Sequence, residues 1–294
     1  MSQLPAGLWE GAPSTPRAWR GKWTPIVCGA VIAALTLAAL AAPLLPHDPL
    51  HQDLTSRLLP PAWVGGGSSD HLLGTDGYGR DVLSRLVYGA RVSLGVAALA
   101  ITMGTLLGAT TGVVAGYFGG WIDAVLMRAV DLMLSLPALL VGIAVAIALG
   151  PSTRNVVLII TVLIFPRIAR QIRGDALAIR HQDFVQYARG AGRSRAQIMV
   201  RHILPNVTPT LLVMITLEVG HVVLLEATLS FLGAGVPPPA ASWGTMVSDG
   251  RALLSTGWWV SLFPGLLIVV TILALNTLGD WLRDYLDPRL KQGR

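Results

Sequence analysis

Six long apolar stretches, separated by polar connections, dominate the pattern of this chain. They cover residues 26–45, 92–116, the stretch from the turn at 117–121 to about 149, 156–165, 208–232 and 258–278. An apolar segment of about 20 residues is long enough to cross a bilayer as a helix. The pattern therefore predicts an all-α membrane protein with six transmembrane helices, the fourth short and ending at Pro166. Ala39-Leu40-Ala41 is similar to a signal-peptidase site, so cleavage is the alternative to an uncleaved first span.

Composition agrees with this pattern. Hydrophobic residue types make up 53% of the 294 residues and charged types 13%, whereas soluble domains carry about 25% charged residues. So little charge cannot cover a water-facing surface, which excludes an ordinary soluble enzyme and a disordered protein. The single cysteine, Cys28, excludes an internal disulfide and a thiolate metal cluster.

Basic residues are distributed unevenly between the two sides. If the N-terminal head with Arg17, Arg20 and Lys22 is inside, the cytoplasmic segments hold 16 of the 22 Lys and Arg residues and the outer segments hold 6. Because positively charged loops stay in the cytoplasm, both termini and the 166–208 segment are predicted to be cytoplasmic. That segment has eight Arg against two Asp, so it carries a local charge equal to the whole net charge of +6.

The 166–208 segment reads as a helix–turn–helix on the membrane surface. Residues 184–189 form a helix that ends at Gly190 and Gly192, and Ser194 with Gln197 has the spacing of a capping box. The second helix runs over residues 195–204 and is expected to stop at Pro205-Asn206. Either anionic lipid holds this element at the interface, or it docks a soluble partner. Nucleic acid is not expected, because no aromatic stacking platform accompanies the arginines.

Three ionisable residues, Glu218, His221 and Glu226, lie in the fifth span, with Glu226 near its outer end. Intramembrane ionisable groups are costly and indicate function by default. Glu218 and His221 are three residues apart on one helical face. They are candidates for a proton relay, for the polar lining of a substrate path, or for hydrogen bonds to a neighbouring helix or subunit.

The outer segment 46–91 contains an amphipathic stretch in which Asp81 and Arg85 have the spacing of a helical ion pair. It is either a structural elbow before the second span or a contact for an outer partner. Elsewhere the sequence lacks the phosphate-binding pattern GxxxxGK(S/T), the zinc pattern HExxH and the nucleophile pattern GxSxG. We expect no catalytic residue, no bound cofactor and no metal, and any ATPase must be another chain.

Several short motifs resemble one family of membrane proteins. Gln186-Tyr187-Ala188, Gly192 and Leu204-Pro205 look like the EAA loop of type I ABC-importer permeases, with Gln186 and Tyr187 departing from its usual Glu and Ala. Further matches are Leu73-Gly-Thr-Asp76, Gly79–Arg85, Tyr88–Ser93, Gly116–Trp121, Glu226–Gly233, Ser242-Trp-Gly244, Phe263-Pro-Gly265, Gly279-Asp280 and Leu286–Leu290. Together they resemble the C-type permease subunit of dipeptide/oligopeptide (peptide/nickel) ABC importers.

The resemblance implies a fold, partners and roles. It implies a type I importer permease of the bacterial inner membrane with an EAA-like coupling helix between spans 4 and 5. The regions are an N-terminal region (1–87), a permease domain (88–280) and a cytoplasmic tail (281–294). The partners are a homologous permease subunit, two ATP-binding subunits that hold ATP and Mg²⁺, and an extracytoplasmic solute-binding protein. The implied ATPase-coupling residues are Gln186, Tyr187, Ala188, Gly192, Arg193, Ser194, Arg195, Leu204 and Pro205.

Three functions remain open from the sequence. The leading one is a non-enzymatic permease subunit that forms half of a path for di- or oligopeptides, or for nickel in the same family. The second is a proton-coupled secondary transporter that uses Glu218 and His221. The third is a membrane scaffold without transport.

Overall fold

The computed structural model describes residues 23–44 and 48–286. Within these ranges the chain forms ten α-helices and no strand, with one isolated β-bridge between Thr75 and Asp81. The helices are α1 (Thr24–Ala41), α2 (Val82–Phe118), α3 (Gly120–Ser135), α4 (Ala138–Leu149), α5 (Thr153–Ile179), α6 (Asp183–Gly190), α7 (Arg195–Ile198), α8 (Leu204–Phe231), α9 (Trp243–Gly250) and α10 (Trp259–Leu286). The predicted all-α class is confirmed. The basic head and the tail after Leu286 lie outside the described residues.

Five helices are long and apolar enough to cross a membrane. They are α1 with its following turn, α2, α5, the continuous helix Arg195–Phe231 and α10. Helices α3 and α4 qualify only as a pair, bent by 94°. The bend follows from Pro137, because the residue before a proline avoids the helical conformation and Leu136 is extended. Counting the bent pair as one span gives the predicted six, although the third is two helices rather than one.

A row of glycines lets α2 pack closely along α5. Gly104, Gly108, Gly112 and Gly116 are spaced four residues apart, and a Cβ on any of them would come within 2.7 Å of an α5 atom. Small residues allow this approach between helices in lipid. In the sequence, the small residues Gly95, Gly104, Gly108 and Gly112 predict such close packing of the second span. The structure confirms it at the last three, whereas Gly95 has nothing within 4 Å.

Pro166 does not end the fourth span, contrary to the prediction. Helix α5 passes through it and continues to Ile179. A proline removes one backbone N–H, but packing by neighbouring helices compensates for this in spanning segments. Ile164 and Ile168, on either side of Pro166, are fully buried and lie against glycines of α2. The first part of the predicted cytoplasmic segment is therefore a continuation of helix α5.

Arg85 does not pair with Asp81, contrary to the prediction. The Asp81 carboxylate instead caps α2 by accepting from the backbone N–H of Ser84 (2.7 Å), and it contacts Nδ1 of His71 (3.0 Å). Arg85 reaches Asp249 on α9 (3.2 Å) and Asp76 (3.5 Å). A capping carboxylate satisfies helix N–H groups that have no other partner, so local capping prevails over the ion pair one turn away.

Helix α9 lies outside the spans and is anchored to α2. Trp243 is fully buried, and its indole Nε1 donates to the carbonyl of Leu86 (3.0 Å). Burial raises the pKa of the Asp249 carboxyl above its ordinary value, although Arg85 and Arg80 beside it act in the opposite direction. The buried Trp243 and the contact of Arg85 with Asp249 therefore attach α9 to α2 at the predicted outer end of the bundle.

Candidate coupling surface and membrane path

A sharp turn at Gly192 separates the two helices of the predicted coupling segment. Gly192 has a φ of +73°, a left-handed conformation that glycine adopts without steric cost. The N–H of Arg193 donates to the carbonyl of Ala188 (3.2 Å), and the N–H of Gly192 donates to the carbonyl of Arg189 (3.0 Å). This pair of bonds is a Schellman motif, which satisfies the last carbonyls of a helix. The helix end predicted near Gly190 and Gly192 is confirmed.

Ser194 begins the second helix in the predicted way. Its hydroxyl accepts from the backbone N–H of Gln197 (3.3 Å), and the side-chain oxygen of Gln197 accepts from the backbone N–H of Ser194 (3.2 Å). These reciprocal bonds are the predicted capping box. Fixed helix ends therefore flank the short turn on both sides.

The second helix does not stop at Pro205-Asn206, contrary to the prediction. A π-helical turn at Met199–Ile203 joins α7 to α8. At the end of this turn the N–H of Leu204 donates to the carbonyl of Met199. The Asn206 side chain donates to the carbonyl of His202 (2.6 Å). Pro205 lies just after this π-helical turn, and the helix continues through it although proline has no N–H to donate. The fifth span therefore begins before residue 208 and continues directly from the coupling segment.

One apolar face attaches the coupling segment to the rest of the protein. Its buried side chains, Val185, Ala188, Ile198 and Ile203, belong to a cluster that includes the buried residues of the end of α5. Among the implied coupling residues only Ala188 is buried. The other eight are exposed: Gln186, Tyr187, Gly192, Arg193, Ser194, Arg195, Leu204 and Pro205. Tyr187 is 77% exposed. We call these eight residues the coupling surface.

A basic cavity of about 580 Å³ lies beside the coupling surface, next to the turn between α2 and α3. Its lining consists of Arg180, Arg189, Arg193, Arg195, His181, Tyr117, Phe118 and Ile198. Arg180 donates to the carbonyl of Gly116 (3.1 Å). The guanidinium group of Arg189 lies over the ring of Tyr117, and that of Arg195 lies over the ring of Phe118. These contacts hold three of the four guanidinium groups in place, so the cavity suits an acidic partner.

The sequence did not predict that the basic cavity is also lined by Arg180, Arg189, Tyr117 and Phe118. The local charge of +6 indicated that this segment is basic, but it did not show which arginines converge. The convergence depends on the α2–α3 turn, which lies more than sixty residues earlier in the chain. Only the three-dimensional arrangement brings that turn to the coupling segment.

Two of the three predicted path residues lie together near the middle of α8. Glu218 and His221 are one turn apart and partly buried. Arg167 on α5, which sequence reasoning did not single out, has its Nη1 3.7 Å from Oε1 of Glu218. The sequence shows Arg167 directly after Pro166. Because the sequence predicts that the fourth span ends at that proline, it places Arg167 in the cytoplasmic segment and not in the membrane path.

Glu226 lies two turns further along α8 and is completely buried. Its Oε1 accepts from the hydroxyl of Ser230 (2.8 Å), and the side chains of Ser93 and Ser242 lie beside the same carboxyl. The structure therefore does not place Glu226 with Glu218 and His221. It lies in a packed junction of α2, α8 and α9, where its burial differs from the low-cost outer position expected from the sequence.

A second polar cavity, of about 530 Å³, lies in the predicted outer segment. Its ionisable lining consists of Asp48, Asp53, Asp70, Asp81, His51 and His71. Hydrogen bonds from Ser56 and Thr55 lower the pKa of Asp53 to about 2. In the described ranges no three His, Cys, Asp or Glu residues are arranged to hold a metal ion.

Two family models match the chain. The binding-protein-dependent transport system inner membrane component matches residues 108–292. The N-terminal transmembrane domain of oligopeptide transport permease C matches residues 17–61.

Curated relatives match almost the whole chain. The dipeptide transport system permease protein DppC of Escherichia coli is 44% identical over 262 residues, which are 89% of this chain and 87% of that protein. A putative peptide transport system permease protein of Brucella suis is 42% identical, over 89% of this chain and 86% of its own. The probable D,D-dipeptide transport system permease protein DdpC of Escherichia coli is 40% identical, over 92% of this chain and 90% of its own.

Solved structures share the fold. The MetNI methionine ABC transporter, in inward-facing conformations, matches with a TM-score of 0.56 and 20% identity over 70% of this chain and 97% of that chain. An amino acid ABC transporter with histidines matches with a TM-score of 0.54 and 17% identity, over 69% and 94%. These identities are low, so the likeness supports the fold alone.

The matches do not favour the proton-coupled secondary transporter or the nickel permease. They agree with the apolar helices in describing a multi-pass protein of the inner membrane. Since the first family model covers more than half of the residues and these relatives are 40–44% identical over 89–92% of the chain, the chain belongs to the family of binding-protein-dependent transport system inner membrane components and resembles its C-type peptide permeases.

Proposed function

We propose that this chain is the permease subunit of an ATP-driven, binding-protein-dependent importer and forms half of the membrane path for di- or oligopeptides. The observation that carries the proposal is the identity of 39–44% to dipeptide transport permeases along 89% of the chain. The division into an N-terminal region, a permease domain and a cytoplasmic tail is part of this proposal. The N-terminus and the C-terminus are both assigned to the cytoplasm, on the basis of the positive-inside distribution.

The remaining functions belong to other chains. A homologous permease subunit supplies the second half of the path, two ATPase subunits bind ATP with Mg²⁺ and hydrolyse it, and an extracytoplasmic binding protein delivers the peptide. This chain carries out no covalent chemistry and binds no cofactor.

The coupling surface supplies the mechanical connection to the ATPase. Helix ends fixed by the Schellman motif at Gly192 and the capping box at Ser194 make the exposed turn rigid. The continuous helix Arg195–Phe231 joins this turn directly to a membrane span. Closure of the two ATPase subunits on ATP would draw this coupling surface toward the corresponding surface of the homologous permease subunit. The attached span would transmit that displacement to the membrane path.

Replacement of Gly192 tests the coupling surface. A Cβ at Gly192 would meet nothing within 4 Å in this chain, so a large side chain there projects from the surface. The positive φ of Gly192 strains a bulky residue as well, which is why the control must tolerate the same conformation. We expect Gly192→Trp to abolish co-purification of the ATPase subunits and ATP-driven uptake. Gly192→Asn is the matched control, because asparagine is small and tolerates the left-handed conformation. Gly192→Asn should retain both the co-purification of the ATPase subunits and the ATP-driven uptake.

Pull-down of the tagged permease pair, followed by quantification of the ATPase subunits, measures this effect. Retention of the other permease subunit shows that the variant still folds. If Gly192→Trp kept a full complement of ATPase and normal uptake, the assignment of the coupling surface would be wrong.

A further inference from the structure

Three ionisable side chains lie near the midpoints of two spanning helices. Arg167 is on α5, and Glu218 and His221 are on α8. A charged side chain in the interior of a spanning helix is costly in lipid, and in membrane proteins it faces the bundle interior or a water-filled cavity. The three side chains therefore mark a polar position within the membrane whose purpose is not explained by packing of the helices.

Arg167 and Glu218 attract one another without forming a hydrogen bond. The 3.7 Å between Nη1 of Arg167 and Oε1 of Glu218 exceeds the range of about 2.7–3.2 Å for such a bond. The second oxygen of Glu218, Oε2, is buried and has no hydrogen-bond partner within the described residues. The Arg167 side chain is 47% exposed. The guanidinium group of Arg167 is therefore accessible to a further charged group, and the Glu218 carboxylate keeps an acceptor oxygen that no described group uses.

The next arginines along α5 are arranged differently. Arg170 donates to Asp131, and Arg173 donates to Asp123 with 2.6 Å between Nη2 and Oδ2. Both of these arginines have an aspartate of α3 as a direct hydrogen-bond partner. Among the residues that the structure describes, Arg167 has only the longer contact with Glu218, so the loose pairing distinguishes it from these two arginines.

An apolar cavity of about 160 Å³ adjoins Arg167 at the bend between α3 and α4. Its lining includes Met133, Leu136, Val141, Val162 and Pro166, and Arg167 is the charged residue among the lining residues. Typical ligand pockets measure about 300–1,000 Å³, so this cavity suits one apolar side chain rather than a whole peptide. A guanidinium group beside an apolar recess is suited to a carboxylate that carries an adjacent apolar side chain.

We propose that Arg167 and Glu218 form a recognition pair for the two charged ends of a peptide in the membrane path. The guanidinium group of Arg167 takes the terminal carboxylate, for which its planar donors are well matched. The carboxylate of Glu218 takes the terminal ammonium group, and His221 lies one turn away as a further polar contact. This inference rests on the proposed function, because it assumes that the cargo is a peptide.

The test uses the complete transporter in proteoliposomes with an equimolar mixture of unmodified dipeptides, read by mass spectrometry. Arg167→Gln and Glu218→Gln should each lower ATP-driven uptake by about 10- to 100-fold, the factor expected when one hydrogen bond to a charged group is lost. ATP hydrolysis stimulated by the binding protein, and recovery of all subunits, should be unchanged. Arg170→Gln is the matched control on the same helix and should keep wild-type uptake.

A double variant separates cargo recognition from an internal ion pair. Arg167→Glu combined with Glu218→Arg restores the attraction between the two side chains but leaves each end of a peptide facing a like charge in the original orientation. We expect no recovery of uptake. Recovery by the double variant, full uptake by Arg167→Gln, or loss of the second permease subunit from Arg167→Gln would each overturn the proposal. Absence of peptide uptake by the wild-type transporter would instead overturn the proposed function, and the recognition pair with it.

Discussion

Asp76 is a buried carboxylate in the segment just before α2, at the predicted outer end of the bundle. It is 3% exposed. Its Oδ1 accepts from the backbone N–H groups of Tyr78 (2.8 Å) and Arg80 (3.1 Å), and its Oδ2 accepts from Nε of Arg80 (2.7 Å). Asp249, the other carboxylate near Arg80 and Arg85, is 45% exposed. Removal of the more buried charge should therefore be the more costly change.

We predict that Asp76→Asn lowers the free energy of unfolding by about 3–5 kcal/mol, since it removes the buried carboxylate and leaves the buried Arg80 and Arg85 facing the half-exposed Asp249. Asp249→Asn should cost at most about 1 kcal/mol, because solvent screens a half-exposed pair. Thermal unfolding of the purified permease pair in detergent, followed by intrinsic tryptophan fluorescence, compares the two variants. Equal shifts in Tm would contradict the difference in burial.

At the scale of elements, the α2–α5 pair forms the central contact of the bundle. A Cβ at Gly112 would lie 2.6 Å from the backbone oxygen of Ala169 and 2.9 Å from the backbone nitrogen of Arg173. Backbone atoms within a helix cannot move aside as a side chain can. The two helices would have to separate to accept any larger residue at this position.

We predict that Gly112→Val destabilises the permease by at least about 1–3 kcal/mol, the usual cost of overpacking a core. Gly95→Val on the same helix is the matched control and should be neutral, because Gly95 meets nothing within 4 Å. Fluorescence-detected size-exclusion chromatography after heating measures both variants. Equal thermal resistance of the two would exclude close α2–α5 packing.

Local patterns predicted these elements well where nearby residues decide the structure. The capping box at Ser194, the helix end near Gly192 and the small residues of α2 all depend on neighbours in sequence or on size alone. Hydrophobic length likewise predicted the number of spans, although neither the end of the fourth nor the start of the fifth. The bend at Pro137 follows from a local rule, yet the sequence did not show that the third span divides there.

Distant contacts decided what the sequence could not predict. Pro166 stays within α5 because Ile164 and Ile168 pack against α2. Arg85 bonds to Asp249, which lies 164 residues away, in place of Asp81. The partner of Arg167 is on α8, fifty-one residues later. No local spacing rule connects such pairs.

At the scale of the whole molecule, two polar regions stand out in an otherwise apolar bundle. The coupling surface and its basic cavity lie at one end of α5 and α8, and Arg167 with Glu218 lies near the middle of the same two helices. Both regions therefore share the same pair of spans. This arrangement suits a protein that converts movement at one surface into a change in the membrane path.

The most direct test of the central claim is reconstitution with defined energy sources. Liposomes containing this chain, its partner permease and the ATPase subunits, supplied with loaded binding protein and ATP, should accumulate dipeptides. Liposomes containing this chain alone should not, whether ATP or a proton gradient is applied. Uptake by this chain alone, driven by a proton gradient and lost on Glu218→Gln, would contradict the account.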